Sequence, residues 1–132
     1  MRRKRSIILV CVAIILGFAV AARAWDEPEL EQKMVQAQKL EQSVREGLAS
    51  SREPAAAEAA VKLGTLFDEI HDFWERKGVE SAQQRARDVA VRARAVASLV
   101  ERGDFPGANL AAKNMNGNCQ GCHAAYSVPA VK

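Results

Sequence analysis

The sequence predicts an all-α fold, an antiparallel up-down-up-down four-helix bundle. Apolar residues recur at helical spacing in four successive segments of similar length. Short connections separate these segments, as is typical of helices that pack against their neighbours along the chain. No stretch shows the alternation of apolar and polar residues that indicates a β-strand.

The first two helices are predicted over residues 28–50 and 54–77. Acidic residues before and within the first turn favour the start of the first helix. Pro54 suits the first turn of the second helix, and Gly78 follows its end as a C-terminal cap. The apolar stripes of the two helices are Leu30, Met34, Ala37, Leu40, Val44 and Leu48, and then Ala56, Ala59, Leu63, Leu66, Ile70 and Phe73, with Phe67 and Trp74 widening the second.

The third helix is predicted over residues 79–102, and the fourth runs to about Tyr126. Gly103 separates them, Asp104 can cap the fourth helix, and Pro106 lies in its first turn. We interpret four arginines of the third helix as a solvated face: Arg85, Arg87, Arg92 and Arg94. The apolar stripe of that helix is Ala82, Ala86, Val89, Ala93, Val96 and Val100.

Residues 1–24 are expected to be a signal peptide that is cleaved from the domain of residues 25–132. A basic stretch, Arg2 to Arg5, precedes an apolar run over residues 7–22, and Ala22-Arg23-Ala24 has the small-x-small pattern of a cleavage site. The alternative is an uncleaved membrane anchor, but the run is shorter than the ~20 residues that a spanning helix needs. Cys11, within the run, is assigned no role.

Removing that leader changes the sign of the net charge. The full chain has 19 basic and 16 acidic residues, a net charge of +3, but five of the basic residues lie in the leader. The remaining chain has 19 − 5 = 14 basic residues against 16 acidic ones, a net charge of −2. The basic character of the whole sequence therefore gives no case for nucleic-acid binding.

The end of the fourth segment carries Cys119-Gln120-Gly121-Cys122-His123. Two cysteines three positions apart and a following histidine form the attachment signature of a c-type haem. Positions i and i+3 share a helix face, so both thiols can form thioethers to one edge of the porphyrin while His123 reaches the iron as proximal ligand. A thioredoxin-like pair would need a βαβ setting, a structural zinc site would need four ligands, and a disulfide here would close only a tiny loop. We therefore predict one covalently bound haem c.

A leader, four helices and one such motif at the end of the last helix resemble class II cytochromes c, the cytochrome c′ family. Tyr126 matches the aromatic residue that members tend to carry three positions after the haem histidine, whereas Ser127 stands where they usually have arginine. The expected export signal together with the haem motif points to the periplasm, where haem c is attached in bacteria. Members of the family are often dimers, so a homodimer is among the expected partners. In class I cytochromes c, by contrast, the haem motif lies near the N-terminus and a methionine ligand follows it.

Met34 is the expected distal iron ligand. In an up-down bundle the start of the first helix lies beside the end of the fourth, which puts Met34 level with His123. Low-spin members of the family use a methionine from this part of the first helix. The alternative is that Met34 only fills the core. His71 is the second choice of ligand because it falls on the flank of its helix, and Met115 is expected in the core or the pocket wall.

Two functions remain open on the sequence alone. The first is an electron carrier with His123 and Met34 as axial ligands, which exchanges electrons with periplasmic redox partners. The second is a five-coordinate protein that binds or buffers small gases such as nitric oxide, with a distal site walled by Leu30, Met34 and Ala37. The haem-attachment machinery is a further expected partner. No nucleophile–base pair or phosphate loop appears, so we expect no enzymatic activity.

Overall fold

The computed structural model describes residues 27–126, and this part of the chain is all-helical. Its four helices are α1 (Pro28–Ala49), α2 (Glu53–Lys77), α3 (Glu80–Glu101) and α4 (Phe105–Tyr126). The all-α four-helix prediction is confirmed, with each predicted end within two residues of the observed one. The expected leader, the cleavage site, Ser127 and the side chain of Tyr126 lie outside the described residues. None of the helices in residues 27–126 is long and apolar enough to cross a membrane.

The connections have the local structure that the sequence predicts. Gly78 follows α2 in the left-handed conformation, with φ of 69°, and its N–H donates to the Glu75 carbonyl. Gly103 has φ of 75° after α3. Asp104 then caps α4, because its carboxylate accepts a hydrogen bond of 2.9 Å from the Gly107 N–H.

The predicted stripes of α2 and α3 are buried without exception, and that of α1 is buried or half-buried. Amphipathic helices of this kind gain most of their stability from packing this face against other helices. Within residues 27–126 the core includes no polar or charged side chain. The pattern of apolar residues therefore identifies which face of each helix turns inward.

Each helix packs mainly on the next one along the chain, while α1 and α4 touch each other much less. Ion pairs join early α1 to late α2: Lys33 Nζ lies 2.6 Å from a Glu69 oxygen, and Arg76 Nη2 lies 3.0 Å from Glu29. These charges are largely solvated and contribute little stability each. At the other end of this helix pair, a Cβ on Gly47 would lie only 2.8 Å from the Ala56 Cβ. Only glycine fits that crossing.

The core consists of two clusters at opposite ends of the helices. The motif-end cluster holds all the large buried aromatic residues, and its members are Leu30, Ala37, Leu63, Leu66, Phe67, Ile70, Phe73, Trp74, Ala82, Ala86, Val89, Ala90, Ala93 and Met115. The far-end cluster is built only from valine and alanine: Val44, Ala59, Ala60, Val96, Ala97, Val100, Ala108 and Ala112.

Candidate functional site

A cavity of about 290 Å³ lies within the motif end and is partly open to solvent. This volume is close to the lower bound of ~300 Å³ for small-molecule sites in proteins. All four helices contribute to its wall, which consists of Met34, Ala37, Gln38 and Glu41 of α1, Leu63, Phe67, Ile70 and Trp74 of α2, Ala82, Arg85, Ala86 and Val89 of α3, and Asn116, Cys119, Gln120, Cys122 and His123 of α4.

The deep wall of the cavity is apolar and rigid. Phe67 and Trp74 form its aromatic part and are both buried. The Trp74 ring packs edge-on against Phe73, with ring centroids 5.3 Å apart and an interplanar angle of 83°, an arrangement that aromatic pairs favour. The α3 side contributes Ala82, Ala86 and Val89, which keep the side chains there short. The α2 and α3 side of the cavity is therefore an apolar surface on which a flat apolar molecule could pack.

Cys119 and Cys122 lie on the α4 side of the cavity, half-buried and not joined by a disulfide. Burial raises the pKa of the Cys119 thiol to about 11, and the Glu41 carboxylate adds to the increase. Burial also raises the pKa of Cys122 to about 11, although the positive charge of Arg85 opposes this change. Both thiols are therefore protonated at neutral pH, which protects them from oxidation because the thiolate is the reactive form.

His123 of α4 and Met34 of α1 line the same cavity, although they lie on the last and the first helix of the chain. His123 is exposed and lies at the mouth, one position beyond Cys122. Met34 is half-buried and packs against the motif-end cluster. The four residues that the sequence suggests for haem attachment and iron ligation therefore line one cavity: Cys119, Cys122, His123 and Met34.

His71 does not line the cavity. Its Nδ1 lies 3.1 Å from an Asp72 carboxylate oxygen, and its Nε2 lies 3.0 Å from the Arg87 guanidinium. Both ring nitrogens are thus engaged at the surface of α2 and α3. Met115 is buried in the motif-end cluster. Leu30, expected in the distal wall of a gas site, is also buried there and does not face the cavity.

The sequence interpretation missed two charged residues of the cavity wall, Glu41 and Arg85. The prediction that Arg85 belongs to a solvated face is wrong, because the residue is half-buried and lines the cavity. Its position gave a usable signal: it comes three residues after Ala82 and four before Val89, which places it beside the apolar stripe. Arg87, Arg92 and Arg94 are exposed as predicted.

The residues of the cavity fit a c-type haem in chemistry. The two thiols are free and lie one helical turn apart on α4, as one porphyrin edge requires. His123 follows them at the mouth, and the remaining wall is mainly apolar, as a macrocycle needs. Cysteine and histidine are also the usual protein partners of haem groups.

Comparisons with known protein families, with curated proteins and with solved structures find no match to this chain.

Proposed function

We propose that this protein is a periplasmic monohaem c-type cytochrome that carries electrons, similar to the class II cytochromes c. The observation that carries the proposal is the position of Cys119, Cys122 and His123 on one wall of a mainly apolar cavity that Met34 also lines, from another helix. The haem iron would supply a one-electron couple between the ferric and ferrous states.

The proposal includes an antiparallel up-down-up-down arrangement of the helices. The ion pairs of Lys33 with Glu69 and of Arg76 with Glu29 support it, because they join the beginning of α1 to the end of α2. The cavity supports it as well. Its wall draws mainly on the first halves of α1 and α3 and on the second halves of α2 and α4, which meet at one end only if neighbouring helices alternate in direction.

Cys119 and Cys122 would hold the cofactor covalently. Each thiol adds across one vinyl C=C bond: the sulfur bonds to one vinyl carbon, the thiol hydrogen goes to the other, and no electrons are exchanged with an oxidant. The raised pKa of both thiols leaves little thiolate at neutral pH. Unassisted addition would then be slow, which supports dependence on a haem-attachment machinery.

His123, the expected proximal ligand, and Met34, the expected distal one, would hold the iron. Thioether ligation by methionine raises the reduction potential relative to a second histidine. The apolar residues on α2 and α3 would exclude water from the buried part of the site and keep the reorganisation around the iron small. The open mouth beside His123 would be the place where electrons enter and leave, by contact with periplasmic redox proteins.

A second candidate is a five-coordinate protein that binds small gases. Ala37 lies next to Met34 in the cavity wall and leaves room beside it. If Met34 packs without binding iron, that space becomes an apolar distal pocket for a diatomic molecule.

The test is to express the full chain with a bacterial haem-attachment system and to extract the denatured protein with acidic acetone. We expect the haem to stay on the polypeptide, and a colourless chain would overturn the proposal. The optical spectrum then separates the two candidates. A six-coordinate low-spin spectrum is expected for the carrier, and a five-coordinate high-spin spectrum would favour the gas-binding protein.

A further inference from the structure

We infer that Arg85 raises the reduction potential of the iron, because it brings a positive charge that pairs with no carboxylate of residues 27–126 to the side of the cavity that carries the haem motif. This inference rests on the proposed function and adds to it a residue from α3, outside the motif and outside the expected iron ligands.

Arg85 of α3 lies beside the haem motif of α4. Its side chain lines the cavity together with Cys122 and His123 and is half-buried. Its Nη1 atom lies over Gly121, only 3.3 Å from where a Cβ of that residue would be. The guanidinium therefore lies directly against the backbone between the two cysteines. Even a Cβ at Gly121 would require the guanidinium to shift by a few tenths of an ångström.

The charged side chains of the cavity wall differ in whether they form ion pairs. The described residues that line the cavity include one carboxylate, Glu41, and one guanidinium, Arg85. The Glu41 carboxylate is offset by Arg45, whose Nε lies 3.0 Å from it. Arg85 forms no ion pair with any carboxylate in residues 27–126, unlike Arg76 and Arg94 on the neighbouring surfaces. Of the two charged side chains, Arg85 is therefore the one without a paired charge among residues 27–126, and it lies on the motif side of the cavity.

The sign of the effect follows from electrostatics. Ferric haem carries one positive charge more than ferrous haem, so a nearby cation disfavours the ferric state and raises the reduction potential. Partial burial of Arg85 strengthens the interaction relative to an exposed arginine, because the effective dielectric constant is lower there. An exposed residue such as Arg92, on the same helix, is screened by water and salt.

The experiment compares haem-loaded wild type with Arg85→Gln, Arg85→Lys and Arg92→Gln by spectroelectrochemical titration. At the midpoint potential of the wild type, we expect the ferrous-to-ferric ratio of Arg85→Gln to fall by about tenfold, as a single charge at roughly 10 Å would produce. Arg85→Lys should restore most of the ratio, since it keeps the charge. Arg92→Gln is the matched control and should leave the ratio unchanged.

Gly121→Leu provides an independent test. The new side chain should displace the guanidinium and lower the ferrous-to-ferric ratio in the wild-type background, yet add little in the Arg85→Gln background. Equal effects of Gly121→Leu in both backgrounds would overturn the role of the Arg85–Gly121 contact. The difference between the two backgrounds measures the interaction between Arg85 and Gly121. Independent structural effects of the two substitutions would simply add.

The two proposals fail in distinguishable ways. A wild-type chain that takes up no covalent haem overturns the cytochrome function, and this inference falls with it. A haem-loaded Arg85→Gln protein with the wild-type ratio overturns only the role of Arg85. A fall in the ratio that Arg85→Lys does not restore would likewise overturn it, because the effect would then come from packing and not from charge.

Discussion

The two ends of the bundle differ in how closely the same four helices pack. At the far end, valines and alanines fill the space between the helices, and the crossing at Gly47 and Ala56 is so close that no further carbon fits. At the motif end, Phe67, Trp74 and other large side chains are buried, yet a cavity of about 290 Å³ remains between them. The amount of side-chain volume therefore does not decide which end is filled.

The difference shows that large buried side chains do not by themselves fill the space between the helices. Protein interiors are close-packed, and a void of this size costs stability unless something occupies it. The chain places its largest apolar residues around the void and keeps polar groups out of the core. Such an arrangement is expected of a site built for a large apolar group, whereas the far end has the construction of a plain helix–helix contact.

The largest expected effect is on the motif end. The double substitution Cys119→Ala and Cys122→Ala should abolish covalent haem completely, because no other residue in 27–126 offers a thiol. The motif end should then lose fixed packing, while the far end keeps its helices. Acid-acetone extraction measures the first effect and amide hydrogen exchange the second. Haem that still resists extraction would contradict the attachment site, and uniform loss of protection at both ends would contradict the division into two clusters.

The next effect concerns the coordination of the iron. If Met34 is the distal ligand, Met34→Ala should convert a six-coordinate spectrum into a five-coordinate one, open the site to carbon monoxide and lower the reduction potential. Met115→Leu is the matched control, since Met115 is buried in the same cluster without lining the cavity. Ready binding of carbon monoxide by the wild type, or an unchanged spectrum of Met34→Ala, would leave Met34 with a packing role alone.

At the far end, a larger buried side chain should reduce the stability of the protein. Ala60→Leu in the haem-loaded protein is expected to reduce the free energy of unfolding by about 1–3 kcal/mol, because the fully buried site has no room for the new side chain. Ala55→Leu, on an exposed position of the same helix, is the control and should change stability by less than about 0.5 kcal/mol. Urea unfolding followed by circular dichroism measures both, and similar values for the two variants would show that the far end is loosely packed.

The smallest effect is a dependence on pH in the chain before haem is attached. Both thiols have a folded pKa of about 11, above the ordinary value of 9.0. Their contribution to stability is therefore complete below pH 9 and is lost as the pH rises towards 11. At pH 10 the loss is about 1 kcal/mol per thiol. Urea unfolding at pH 8 and pH 10, with the double cysteine-to-alanine variant as reference, measures it, and equal losses in both proteins would show that the thiols are not buried.

Much of the fold could be predicted from the sequence because it depends on periodicity and on local signals. The stripes of α2 and α3 are buried as expected, and Gly78 and Asp104 end and begin helices as their chemistry dictates. Within the candidate site, the cysteines and histidine were recognisable from spacing alone. These features are encoded within a few residues of one another.

Features that depend on how helices pack against one another could be predicted only in part. Arg85 and Glu41 lie beside the apolar stripes of α3 and α1, which is a signal in the sequence, but what packs opposite them decides whether such flanking residues face solvent or a cavity. The burial of Gly47 against Ala56 is a further example, since a glycine within a helix has no sequence signal that reveals a partner. Periodicity specifies the direction of a side chain but not what lies opposite.

The limited contact between α1 and α4 has a thermodynamic consequence. Since each helix packs mainly on the next, the four form a nearly open row, and a helix at the end of that row is held mainly by one neighbour and opens more easily than the inner helices. A haem bonded to α4 through Cys119 and Cys122 and touching Met34 on α1 would close that row into a ring. Opening α1 would then require breaking contacts on both of its sides. Loading the cofactor would thereby turn stepwise local openings into a single cooperative transition.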